Sequence, residues 1–227
     1  MNKKIVKLLK KIYKIGLKDP ELNKEIFPIS ISEFQGEFIA LFIKKNKPMS
    51  IIECGFGYGL SSLWLNSTEH KIKKHYIIDP YFKSLSFNFL SPYKLIIEQS
   101  NVDFIDKKTS QQFLASFKGK VDLIFLDAEE LFDSFITDMH FSTKIIKVGG
   151  HIIVRNVWNP SVRKGLMFFI KNLSYSLVQF TKFEQFFIKK MGFLGELYLR
   201  FKLRKIDLCV LKLNSEKFRE WDDFVGF

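Results

Sequence analysis

The chain has 227 residues, 47% of them hydrophobic, which is enough to bury a full core and excludes wholesale disorder. Its 36 basic and 24 acidic residues give a formal charge of +12, which fits either a compositional bias toward Lys, Ile and Phe or a basic surface for anionic partners. The two cysteines, Cys54 and Cys209, exclude a disulfide framework and a cysteine metal cluster, and no apolar run reaches membrane-spanning length.

Residues 2–17 predict an amphipathic helix, with Ile5, Val6, Leu8, Leu9, Ile12, Tyr13 and Ile15 on one face and lysines on the other. Lys7, Lys10, Lys11 and Lys14 interrupt any signal-peptide core, so the segment is not read as a secretory leader. It either packs on its own domain or on a second subunit, or lies on an anionic membrane. Residues 32–45 predict a second helix that Pro48 cannot extend.

Apolar runs bounded by breakers follow at 51–54, 76–78, 95–97, 121–126, 152–154, 176–180 and 206–211, each read as a buried strand. Residues 60–65, 109–117, 131–146 and 161–173 predict helices between them. Strands alternating with helices imply an α/β fold with a parallel sheet covered on both faces. Residues 181–205 interrupt this alternation with a basic, aromatic insertion, read as helical, that suits a substrate cap, a dimer contact, a membrane-facing patch or ordinary packing.

Glu53-Cys54-Gly55-Phe56-Gly57-Tyr58-Gly59 closes the first predicted strand with a carboxylate and three alternating glycines. Glycines there let the backbone turn sharply and approach a ligand. Asp79 and Asp127 likewise stand at the ends of apolar runs, and in a parallel sheet such ends share one edge and one crevice. A carboxylate about 20 residues past a glycine turn suits ribose hydroxyls, the role expected of Asp79. A dinucleotide fingerprint wants a third glycine where Leu60 stands, and a pyrophosphate would be repelled by Glu53. S-adenosylmethionine, a cationic nucleoside without phosphate, meets neither objection.

The glycine motif resembles the first motif of class I S-adenosylmethionine-dependent methyltransferases, and Asp79 matches their ribose-binding acid. Phe125-Leu126-Asp127 resembles the fourth motif, and residues 146–154 are similar to the stretch that leads into the fifth strand. Ser32-Glu33-Phe34-Gln35-Gly36-Glu37-Phe38 is similar to the lead-in of small bacterial O-methyltransferases related to the catechol and caffeoyl-coenzyme-A enzymes. The resemblance covers about residues 29–212. It implies a Rossmann-like seven-stranded sheet, mostly parallel with an antiparallel last strand and helices on both faces. Residues 1–28 would be an N-terminal helix and linker, and residues 29–227 the methyltransferase domain.

By the same resemblance, Gly55, Gly57, Tyr58 and Gly59 line the cofactor, and Glu53 and Ser61 face its methionine part. Asp79 holds the ribose, Gln99 or Ser100 edges the adenine, and Asp127 lies near the methionine end and the substrate. Metal-dependent relatives bind a divalent cation through an Asp after the fourth strand and an Asp-Asn pair after the fifth. Here Asp127 and Asn156 match, but Arg155 replaces the second Asp, so no metal is expected. The lysine and histidine bases of related branches are absent as well. Glu129 or Glu130 is then the candidate base, with Glu130 and Asp127 taken as the catalytic pair, unless these acids serve only a helix N-terminus. Arg155, Asn156 and Trp158 are the expected substrate contacts, Trp158 by stacking if it is not core. His140 and His151 are read as structural.

The expected activity is metal-independent O-methylation of a small molecule or glycan in the cytoplasm, with association at the inner face of the membrane and a homodimer as further expectations. The alternatives are a methyltransferase-fold protein that binds cofactor without transfer, and a membrane-surface or partner-binding module. No RNA-binding motif stands in the sequence, so nucleic acid is not expected as a partner.

Overall fold

The structure is a computed structural model that describes residues 2–15, 30–81, 96, 99–178, 207–216 and 223–226. The chain divides into two compact units, Met1–Ser110 and Gln111–Phe227. The expected domain boundary near residue 28 and the insertion at 181–205 lie outside the described residues.

The first unit contains α1 (Lys3–Ile15), α2 (Glu33–Asn46), β1 (Ser50–Cys54), α3 (Leu60–Leu65), β2 (Lys74–Ile78) and β3 (Val102–Ile105). α2 begins at a capping box: Gln35 N–H donates to Ser32 Oγ at 3.2 Å, and Ser32 N–H donates to Gln35 Oε1 at 2.7 Å. It ends at Lys47, whose left-handed backbone (φ 50°) lets its N–H reach Ile43 O, just ahead of Pro48. β1 pairs in parallel with β2, and β2 with β3. Ile51, Ile52, Glu53 and Cys54 are fully buried, and so is every residue of α3. A six-residue helix with no wet face is held by packing rather than by propensity.

α1 turns Ile5, Leu9 and Ile12 into this unit's core. Its Tyr13 hydroxyl donates to Ile31 O at 3.0 Å and accepts from Trp64 Nε1 at 3.1 Å. Of the three dispositions expected for the apolar face of α1 (its own domain, a second subunit or a membrane), Ile5, Leu9 and Ile12 adopt the first. α2 approaches the same tryptophan at Gly36, where an added Cβ would stand 2.0 Å from Trp64 Nε1.

The second unit carries most of α4 (Ser110–Ser116), then β4 (Val121–Leu126), α5 (Phe132–Ile145), β5 (Ile146–Arg155), α6 (Pro160–Asn172), β6 (Tyr175–Val178) and β7 (Leu208–Leu213). β4 and β5 are parallel, whereas β7 runs antiparallel to both β5 and β6. The seven strands form a mixed sheet in the order β3-β2-β1-β4-β5-β7-β6; seven strands, mostly parallel with an antiparallel last strand, are what the resemblance implied.

One strand differs from its expected position. The third strand is Val102–Ile105, not 95–97: Ile96 is buried in helical backbone, and Leu95 and Ile97 lie outside the described residues. Asp103 breaks the apolar run of β3, and this edge strand is only half buried, so it lacks the signal of a buried strand. β5 also starts earlier than expected, at Ile146, through a register shift opposite Val121 and Leu123.

Candidate functional site

In the first unit, Gly55 N–H donates to Ile78 O at 2.9 Å, one step beyond the last β1–β2 pair. Positive φ angles at Gly55 (91°) and Gly57 (50°) then swing the chain out of the sheet and into α3, conformations that a Cβ would strain. Phe56, only 3% exposed, pins the turn by an edge contact with Phe104 at 5.3 Å. Gly57 is exposed, Tyr58 is half-buried, and Gly59 is the N-cap of α3.

Asp79 closes this turn. Its Oδ2 accepts Phe56 N–H at 3.0 Å and Gly57 N–H at 2.9 Å, and its Oδ1 accepts Tyr81 N–H at 2.9 Å. A carboxylate offers about four lone-pair directions, so roughly one stays available to a ligand hydroxyl. Asp79 N–H in turn donates to Ile105 O at 3.1 Å, which sets the ends of β2 and β3 level.

Glu53 is 0% exposed and satisfied from within. Ser61 and Ser62 hydroxyls each donate to one of its oxygens at 2.5 Å. His75 Nε2 lies 3.0 Å from Oε2 but off the line of a hydrogen bond. Asn66 Nδ2 stands 3.3 Å from His75 Nδ1, and the same amide donates to Ser62 O at 2.8 Å. A buried carboxylate must be paired, and this network ties both ends of α3 to β1 and β2. Sequence reasoning missed Ser62, Asn66 and His75. Their only signal was a polar side chain inside an apolar strand or beside a glycine turn.

Gln99 and Ser100 are displaced from their expected position. They precede β3 instead of following it, with Gln99 N–H donating to Ile96 O at 3.1 Å. Because β3 runs parallel to β2, its start lies at the opposite edge from Asp79 and the glycine turn. The residue that follows β3 is the half-buried Asp106.

In the second unit, Arg155 closes β5 and reaches Asp127, which follows β4. Arg155 Nη1 stands 3.2 Å from Oδ1 and 3.0 Å from Oδ2, and the two side chains are 7% and 15% exposed. Beside them, Glu130 Oε2 accepts Asn159 Nδ2 at 3.0 Å, and Oε1 accepts the Asn156 amide in a very short contact. Asn156 takes a left-handed conformation (φ 58°), which Asn tolerates, to turn its amide toward Glu130. Asn159 also caps α6, accepting Ser161 N–H at 3.0 Å. Sequence reasoning missed this residue, although an Asn directly before Pro160 is a helix-start signal.

Asp127, Glu130, Asp138, Arg155 and Asn156 line one narrow crevice. Trp158 is 51% exposed, so it is not core. Glu129 is exposed and accepts from Ser134 Oγ at 2.7 Å. His151 is half-buried within β5, and burial followed by Lys212 lowers its pKa to about 4. His140 lies on α5 and is lowered by desolvation and then by Lys144.

Residues 52–157 match a family described as a methyltransferase domain. No curated protein matches the chain. Among solved structures, SAH-bound methyltransferase PaMTH1 of Podospora anserina is 14% identical, with TM-score 0.62 over 95% of this chain and 89% of that one. The O-methyltransferase TomG of Streptomyces achromogenes, involved in tomaymycin synthesis and solved with SAM, is 15% identical, with TM-score 0.56 over 95% and 91%. An O-methyltransferase of Bacillus cereus in complex with SAH is 17% identical, with TM-score 0.55 over 89% and 88%. The chain has the class I methyltransferase fold that the resemblance of its glycine motif implied.

Proposed function

We propose that this chain is an S-adenosylmethionine-dependent methyltransferase that carries out metal-independent O-methylation of a small molecule or glycan. The carrying observation is the glycine turn closed by Asp79, whose carboxylate organises two backbone N–H groups at the end of β1. Gly55, Gly57, Tyr58, Gly59 and Ser61 would line the cofactor, Asp79 would take a ribose hydroxyl, and Asp106 would edge the adenine in place of Gln99 and Ser100. Glu53 acts from behind, through Ser61 and Ser62, because no part of it is exposed.

The cofactor supplies a methyl group already activated on a sulfonium, so the protein has to position the acceptor and remove its proton. Glu130 is the proposed base. The Asn156 and Asn159 side-chain amides donate to its two oxygens and hold the carboxylate in place. Trp158 offers an open aromatic face to the acceptor. The residues do not suit a divalent cation: the Arg155 guanidinium lies against both Asp127 oxygens and brings positive charge where a metal site needs carboxylates.

Transfer of labelled methyl to phenolic, carboxylic and sugar acceptors, with and without a chelator, tests this reading. Product formation indifferent to chelator supports it, and product that needs added magnesium contradicts it. Because Asp127 is already engaged by Arg155, binding without transfer remains the second reading. Cofactor binding with no product from any acceptor would favour it.

A further inference from the structure

The buried face of α1 leaves its opposite face unexplained. Lys3, Lys4, Lys7, Lys10, Lys11 and Lys14 are all exposed. At 100° per residue these six fall within about a third of the helix circumference, directly opposite the centre of the buried Ile5, Leu9 and Ile12. Among the described residues none of the six is in an ion pair, and the helix itself contains no acid. The result is a straight cationic stripe about 20 Å long, fixed to the unit by its apolar side. Lys10 shares a groove with Glu33 and Glu37 of α2, but no acid stands within the stripe itself; ordinary surface helices intersperse both signs of charge, so like-charge repulsion along this face calls for an anionic counterpart.

We propose that the lysine face of α1 is a docking surface for an anionic lipid bilayer. This inference is independent of the methyl-transfer reading. A flat leaflet meets the ammonium groups of this face together, and half-buried Val6 and Leu8 flank the stripe. The stripe is all Lys, a point charge suited to a diffuse field, and lacks the Arg fork that recognises individual phosphates. It carries no aromatic ring to stack on bases, since Tyr13 turns inward to Trp64. Both features favour lipid over nucleic acid. The contact is electrostatic rather than inserted, because the apolar residues that would enter the bilayer already face the core.

Flotation of the full chain with phosphatidylcholine vesicles, with and without phosphatidylserine, tests the proposal beside a binding assay with mixed-sequence RNA. The chain should float only with phosphatidylserine and should release as salt approaches molar strength. The triple variant Lys7→Glu, Lys10→Glu, Lys14→Glu should bind these vesicles roughly a hundredfold more weakly. Its circular dichroism should be unchanged, because all three side chains point to solvent. Should that variant be misfolded, Lys7→Gln with Lys14→Gln replaces it, with a loss of roughly tenfold expected. Equal flotation with both vesicle types, retained flotation by a folded variant, or tighter binding to RNA through the same lysines would each overturn the proposal.

Discussion

Arg155 Nη1 bridges both carboxylate oxygens of Asp127, at 3.2 and 3.0 Å, joining the ends of β5 and β4. The pair is largely buried, so removing either partner leaves a charge with little water to solvate it. Arg155→Met should cost roughly 3 kcal/mol of unfolding free energy by urea titration, and adding Asp127→Leu should recover part of that loss. Additive losses would show that the two residues do not act as a pair. The same geometry predicts that Arg155→Asp, which sets a second carboxylate beside Asp127 and Asn156, gains magnesium or manganese affinity by calorimetry that the parent chain lacks.

Glu130→Gln keeps the side chain's size but removes the proton acceptor. Methyl transfer should fall roughly a hundredfold or more, with cofactor affinity unchanged. Equal rates would move the base elsewhere. A parallel fall in cofactor affinity would mean that Glu130 shapes the site rather than the chemistry.

Gly36→Ala should destabilise the first unit. The added methyl would fall within 2.0–2.3 Å of three Trp64 indole atoms, a side chain that also donates to Tyr13 and so cannot simply swing away. The cost expected from overpacking is roughly 1–3 kcal/mol, read by thermal or urea denaturation.

His151 gives the protein a pH dependence of defined sign. Its folded pKa, lowered by burial and then by Lys212, is about 4, against 6.5 for the free group. Between those values the unfolded chain binds a proton that the folded chain does not. The contribution is complete above about pH 6.5 and is lost as pH falls toward 4. Denaturation of the parent chain and of His151→Gln across this range should show a shallower acid loss in the variant. Parallel curves would show that His151 titrates normally.

The parts of this fold that were legible in sequence are those with local causes. Ser32 and Pro48 bracket α2, and the apolar runs of β1 and β4 announce strands buried on both faces. β3 was misplaced because Asp103 and its position at the sheet edge erase the apolar signature, and that slip carried Gln99 and Ser100 to the wrong edge. Substitution of a metal-site carboxylate by Arg155 was visible as a residue type. That the guanidinium meets both Asp127 oxygens depends on strand register, which no local pattern encodes. His75 and Asn66 reach the Glu53 site only through pairing of β1 with β2 and the length of α3.

Calorimetric titration of S-adenosylmethionine and its demethylated product into the parent chain and Asp79→Ala tests the central claim most directly. Asp79 makes three hydrogen bonds that shape the glycine turn and has capacity for a ribose hydroxyl. The parent chain should bind both ligands, and Asp79→Ala should bind each roughly a hundredfold more weakly while keeping its circular dichroism. No binding by the parent chain, or undiminished affinity in the folded variant, would contradict the assignment of this turn as the cofactor site.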